Sequence, residues 1–91
     1  MAVDRLFVIS YDIPDDGRRT KISNLLKSYG ERVQYSVFEC WLNSTELEHL
    51  KNELSKRIDE TCDSVRIYKS TDDIYILGLG VVTANPEAWV M

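Results

Sequence analysis

Asp12 stands where the apolar run Leu6-Phe7-Val8-Ile9 has ended and the chain turns through Ile13-Pro14. A carboxylate there can hold a hard cation such as Mg²⁺, which prefers oxygen ligands, keeps several waters and often takes only one or two protein carboxylates. Metal-bound water is then able to attack a phosphodiester. One carboxylate per chain is a thin donor set, but a two-fold axis near this strand brings two copies of Asp12 together. The plainer reading is a turn or capping aspartate. Arg18, Arg19 and Lys21 follow in the first turns of the next element. Cations at a helix start oppose its dipole by roughly 0.3–1 kcal/mol each, so their placement points to a nearby anion such as phosphate. Asp15 and Asp16 offer the opposite account, in which they balance the local field and the arginines form a solvated face. Tyr11, Tyr35 and Phe38 can stack on bases or fill a core.

Other chemistries are excluded by what is missing. His49 is the single histidine, so one chain cannot pair two histidines as general acid and base, and its place on the polar side of a helix reads as surface. Cys40 and Cys62 offer neither a disulfide framework nor zinc-ligand spacing, and Cys40 alternates with Phe38 and Leu42 as a core residue does. Gly78 and Gly80 end an apolar stretch without opening a helix, so no phosphate-cradling loop is present.

The elements that must position these residues follow from periodicity. Val3 to Tyr11 is apolar on both alternating faces and reads as a central buried strand. Asp15 or Asp16 caps a helix of about 14 residues in which Ile22, Leu25, Leu26 and Tyr29 recur at helical spacing until Gly30. Glu31 to Asn43 favours extended structure, either two short strands around Tyr35 and Ser36 or one bent strand. Thr45-Glu46-Leu47-Glu48 reads as a capping box, and Leu47, Leu50, Leu54 and Ile58 line a second helix running to about Thr61. Val65 to Tyr68 alternates as a strand, Asp72-Asp73 makes a turn, and Ile74 to Leu79 reads as a last strand. The order predicts an α+β fold, a ferredoxin-like βαββαβ sandwich with an extra C-terminal strand. That strand has no slot in the unit and is expected to pair either with an edge of the same sheet or, the preferred reading, with the edge of a second subunit. The expected division is one domain over residues 1–80 and a tail over 81–91.

With 91 residues, 44% of them hydrophobic, the chain is too apolar for a disordered tail and supports one core. A domain of this size buries roughly 60–65% of its unfolded surface, so it gains from pairing with another copy. The net charge of −4 argues against a surface that is basic throughout. Its distribution is uneven: residues 1–35 hold six basic side chains (Arg5, Arg18, Arg19, Lys21, Lys27, Arg32) against five acidic, whereas the remainder holds five against ten. The longest apolar stretch, Ile74 to Val82, is too short for a membrane helix, and the segment bracketed by Asp4 and Asp12 is too short for a signal peptide. A reduced cytoplasmic setting is expected from the cysteines.

Two motifs carry a resemblance. Tyr11-Asp12-Ile13 with Asp15-Asp16 and Arg18-Arg19-Thr20-Lys21, followed by Gly30-Glu31-Arg32-Val33-Gln34-Tyr35-Ser36-Val37-Phe38-Glu39, resembles the small CRISPR-associated adaptation protein family, the second in the numbered Cas series. The similarity runs from about Leu6 to Tyr68. It implies a homodimer of ferredoxin-like subunits joined through their sheet faces in a prokaryotic cytoplasm. It further implies a Mg²⁺-dependent endonuclease on single-stranded RNA or double-stranded DNA, which takes part in spacer acquisition with the CRISPR integrase. By the resemblance, Asp12 is the metal-binding and catalytic carboxylate with Tyr11 its neighbour. Arg19, Lys21 and Arg32 match basic residues tied to substrate phosphate, and Phe38 matches an aromatic tied to activity. Arg18 joins them as a cation expected to hold nucleic acid. Lys21 often has arginine as its counterpart, and a point charge there replaces a fork. The alternatives are a non-catalytic dimeric scaffold of the integrase complex and, more distantly, a regulatory domain holding a small molecule between subunits.

Overall fold

The computed structural model describes residues 3–71 and 75–78. Four strands and two helices follow in the order β1 (Arg5–Asp12), α1 (Asp16–Lys27), β2 (Glu31–Gln34), β3 (Val37–Leu42), α2 (Ser44–Arg57) and β4 (Ser64–Lys69). The sheet is antiparallel throughout with strand order β2-β3-β1-β4, which is the ferredoxin-like arrangement. β1 is central, pairing Ile9 with Phe38 on one side and with Ile67 on the other. Both helices lie on one face. Phe7, Ile9 and Tyr11 of β1, Phe38, Cys40 and Leu42 of β3, and Ile22, Leu26, Leu50 and Leu54 of the helices close the core between them. The opposite face carries the alternate residues of the same strands, Val8, Ser10 and Asp12 from β1 and Arg66 and Tyr68 from β4.

Local chemistry sets the element ends. Asp15 is the cap of α1, accepting a hydrogen bond from the Arg18 backbone N–H at 2.8 Å, and Asp16 sits inside the first turn. α1 ends at Lys27, earlier than the apolar spacing through Tyr29 predicts, because the Ser28 hydroxyl and N–H both turn back to the Leu25 carbonyl. Gly30 then lets the chain pass close to β3. A Cβ there would meet the Glu39 carbonyl oxygen at 2.2 Å and Cys40 Sγ at 2.6 Å. Glu31–Leu42 resolves as two strands joined at Tyr35 and Ser36, with an irregular register between Arg32 and Gln34.

The capping box of α2 is Asn43 with Glu46, two residues before the one predicted from Thr45. The Asn43 side chain accepts from Glu46 N–H while the Glu46 carboxylate accepts from Asn43 N–H. α2 stops at Arg57 rather than near Thr61. Ile58 is extended, and the Asp59 carboxylate captures both the N–H and the hydroxyl of Thr61, turning the chain. Of the predicted last strand, Tyr75–Gly78 form no strand and expose Tyr75, Ile76 and Leu77, while Ile74 and Leu79 lie outside the described residues. The tail over 81–91 and its boundary also lie outside them.

Candidate functional site

Strand alternation separates the two residues at the end of β1. Tyr11 points toward the helices, is 4% exposed and donates its hydroxyl to the Tyr35 carbonyl at 3.4 Å. Asp12 is exposed on the opposite, uncovered face, opposite Ser64 of β4. Neither Ser64 nor Ser10 adds a second carboxylate, and among the described residues no group of three or more His, Cys, Asp or Glu gathers into a metal site. Among the described residues a single chain therefore offers one carboxylate, Asp12, at this point of the sheet. That donor is chemically suited to Mg²⁺, and a second copy would be needed to supply another.

On the helix side, three predicted residues do come together. The Arg32 guanidinium lies 5.6 Å from the centre of the Phe38 ring and donates a hydrogen bond to the Ser23 hydroxyl. Phe38 in turn stacks against Tyr11 with ring centres 6.3 Å apart. Phe38 is 0% exposed, so no base can stack on it, and it acts by holding Arg32 and Tyr11 in place. Arg19 is anchored from α1, donating to the Ile13 carbonyl at 2.8 Å and pairing with Asp16. Lys21 is exposed on the same helix, outside this group.

Arg18 has a different occupation. Its Nε donates to Asp63 Oδ2 at 2.7 Å and its Nη2 to Asp63 Oδ1 at 3.1 Å, a bidentate pair that ties the start of α1 to the loop before β4. The Asp63 side chain is 0% exposed and also accepts from the Asp59 N–H. The hydrogen bond from Arg18 is the main cause that holds the Asp63 carboxyl down at about 2, and Asp63 pushes Arg18 up. A fork so committed is not offered to phosphate.

Beside Arg19 and Arg32 lies a cavity of about 210 Å³ between α1 and the β2–β3 turn. Lys27, Ser23 and Asn24 line it from the helix, and Tyr11 and Tyr35 from the sheet end. Sequence reasoning missed Lys27, Ser23 and Asn24 as site residues, although each lies three or four positions from another lining residue on one helical face. It also missed Arg66, which alternation puts on the open face with Asp12, opposite Ser10. The remaining candidates behave as read from the sequence: His49 is exposed, and Cys40 is buried, its thiol pushed up to about 12 by burial.

The family model described as CRISPR associated protein Cas2 matches residues 5–75. The chain belongs to the Cas2 family. It is 47% identical to the CRISPR-associated endonuclease Cas2 2 of Thermus thermophilus, over 96% of this chain and 97% of that one. It is 46% identical to the CRISPR-associated endoribonuclease Cas2 3 of Chloroflexus aurantiacus, over 92% and 95% respectively. Among solved structures it is similar to a hypothetical protein from Thermus thermophilus, with TM-score 0.84, 48% identity and coverage of 89% and 99%. It is also similar to a chain of a partial Cas6-RT-Cas1–Cas2 complex, with TM-score 0.55, 32% identity and coverage of 71% and 77%. The Cas2 match spans all seven predicted site residues, from Tyr11 to Phe38, and these fall on both faces of the sheet. No helix among the described residues is long and apolar enough to cross a membrane.

Proposed function

We propose that this chain is a homodimeric subunit of CRISPR adaptation and a Mg²⁺-dependent endonuclease on single-stranded RNA or double-stranded DNA, working in a prokaryotic cytoplasm. The observation that carries this reading is the exposure of Asp12 at the end of β1, on the sheet face that neither helix covers. The names of the relatives, endonuclease and endoribonuclease, support hydrolysis of a phosphodiester. Pairing two open faces juxtaposes two copies of Asp12, a donor set that suits a cation content with one or two carboxylates. Such pairing also covers apolar surface, including Tyr68, and gives the exposed Tyr75, Ile76 and Leu77 a place on the partner's sheet edge. When bound, Mg²⁺ supplies Lewis-acid stabilisation of the scissile phosphate. The chain's own part is to hold the strand. Asp12 fixes the ion, and Arg19, Lys21 and Arg32 neutralise phosphates. Tyr11 and Phe38 position Arg32 and the Tyr35 turn.

The decisive measurement is Mg²⁺-dependent cleavage by highly purified wild type and Asp12→Ala. Loss in the variant is expected, and equal cleavage by the two proteins would remove Asp12 from the chemistry. A second reading, a dimeric scaffold that bridges integrase subunits, is favoured by the likeness to a chain from a Cas1–Cas2 complex. It predicts that Asp12→Ala still supports spacer integration with the integrase. Loss of integration with dimer and complex intact would count against a pure scaffold.

A further inference from the structure

The cavity beside α1 is built to take an anion. Arg19, Lys27 and Arg32 line it and, among the described residues, no carboxylate does, in a chain whose net charge is −4. Among the described residues the one acid paired with these cations is Asp16, whose side chain is 89% exposed and faces solvent. The walls are ordered. Ser23, 5% exposed, accepts from Arg32 and keeps its own hydroxyl proton to donate, and the Tyr11 hydroxyl is held against the Tyr35 carbonyl. Arg32 is clamped between Ser23 and the Phe38 ring, and Arg19 between the Ile13 carbonyl and Asp16. Lys27, the last residue of α1, and Asn24, one turn earlier, are exposed at the mouth with no competing acid beside them among the lining residues. The volume, about 210 Å³, suits a phosphate with one attached sugar or ring rather than a length of duplex.

From this we infer that the cavity binds the phosphomonoester of a single nucleotide. A terminal phosphate carries close to two negative charges at neutral pH, against one for an internal phosphodiester, and so matches three converging cations better than a strand running past. The exposed Tyr35 at the rim supplies an aromatic face for the base. This site lies on the opposite side of β1 from Asp12, so it needs neither the metal nor the cleavage proposed above. Two sources present this chemistry: a free nucleoside monophosphate, or the phosphorylated end of a strand.

Full-length protein is titrated calorimetrically in metal-free buffer with AMP, adenosine, and a short single strand with or without a 5′-phosphate. AMP is expected to bind at least about tenfold tighter than adenosine. Lys27→Gln and Asn24→Ala, both at exposed positions, are each expected to weaken AMP at least about threefold with unchanged melting temperatures, and Asp12→Ala to leave AMP binding as in wild type. A preference for the phosphorylated strand identifies strand ends as the source. Equal binding of the two strands, with AMP still saturable, identifies the free mononucleotide. The inference is overturned if adenosine binds as well as AMP, if AMP shows no saturable binding, or if Lys27→Gln and Asn24→Ala both bind AMP as wild type does. Cleavage lost in Asp12→Ala with AMP binding retained separates this site from the reading above.

Discussion

The two faces of the sheet handle charge in opposite ways. On the helix side two candidate cations have a scaffold: Arg32 rests on a buried ring and a buried serine, and Arg19 is held by a carbonyl and a carboxylate. On the open face Asp12 stands exposed beside Ser64, and Arg66 among the described residues reaches only the Tyr68 hydroxyl, at 3.5 Å. A preorganised cationic pocket functions in one chain, because its geometry is fixed by the core beneath it. A lone carboxylate on a bare sheet acquires geometry only when something is laid against it. In the function proposed above, this contrast corresponds to binding on the covered face and chemistry, with its dependence on a second copy, on the open one.

The strongest way to break this division is Asp12→Ala. It is expected to lower Mg²⁺-dependent cleavage by more than about 100-fold while leaving nucleic-acid affinity nearly unchanged, measured by gel cleavage and by anisotropy. A comparable loss of affinity would mean that both faces bind. Phe38→Leu comes next. Shrinking a fully buried ring costs about 1–2 kcal/mol, seen in urea unfolding, and frees Arg32, so binding weakens although Phe38 touches no ligand. Full binding by a stable Phe38→Leu protein would show that the clamp on Arg32 is dispensable.

A smaller effect separates two adjacent arginines. Arg19→Gln is expected to weaken nucleic-acid binding several-fold and reduce the salt slope by about 1, whereas Arg18→Gln lowers the melting temperature and leaves the slope unaltered. The reverse pattern would place phosphate at Arg18. The smallest expected effect is on acid stability. Arg18 holds the Asp63 carboxyl at about 2, below the value of about 3.9 in an unfolded chain. As pH falls the unfolded chain therefore protonates first. Stabilisation from this pair is complete above the unfolded value and drains away between about pH 4 and pH 2. Melting curves over that range should drop less steeply for Asp63→Asn than for wild type, and parallel curves would contradict the link.

The sequence was readable to different depths in different places. Order and type of the elements from β1 to β4 followed from period, since Leu6, Phe7 and Ile9 and the Ile22, Leu26 and Leu50, Leu54 pairs bury as their spacing predicts, whereas Tyr75–Gly78 form no strand. Ends were harder because they depend on which of several polar groups wins. Asn43 outcompetes Thr45 for the cap, and Asp59 stops α2 although Ile58 continues the apolar spacing. Two strands could not be told from one bent strand, because the Tyr35–Ser36 turn uses no glycine and no residue of positive φ. Alternation already implied that Tyr11 and Asp12 face apart. What separates Arg18 from Arg19 was out of reach, since the partner of Arg18 lies 45 positions away, and only the fold brings Asp63 to it.

The central place of β1 bears on how the protein is made. This strand, Arg-Leu-Phe-Val-Ile-Ser-Tyr-Asp, leaves the ribosome before both of its neighbours, β3 and, at Ser64–Lys69, β4. At about 5–20 residues per second, the nascent chain waits on the order of several seconds before both flanks of β1 can be paired. During that interval its most apolar strand is an open template for misassociation. Fusing a bulky N-terminal partner should change little, whereas stalling translation before β4 should send the unfinished chain to aggregates or chaperones.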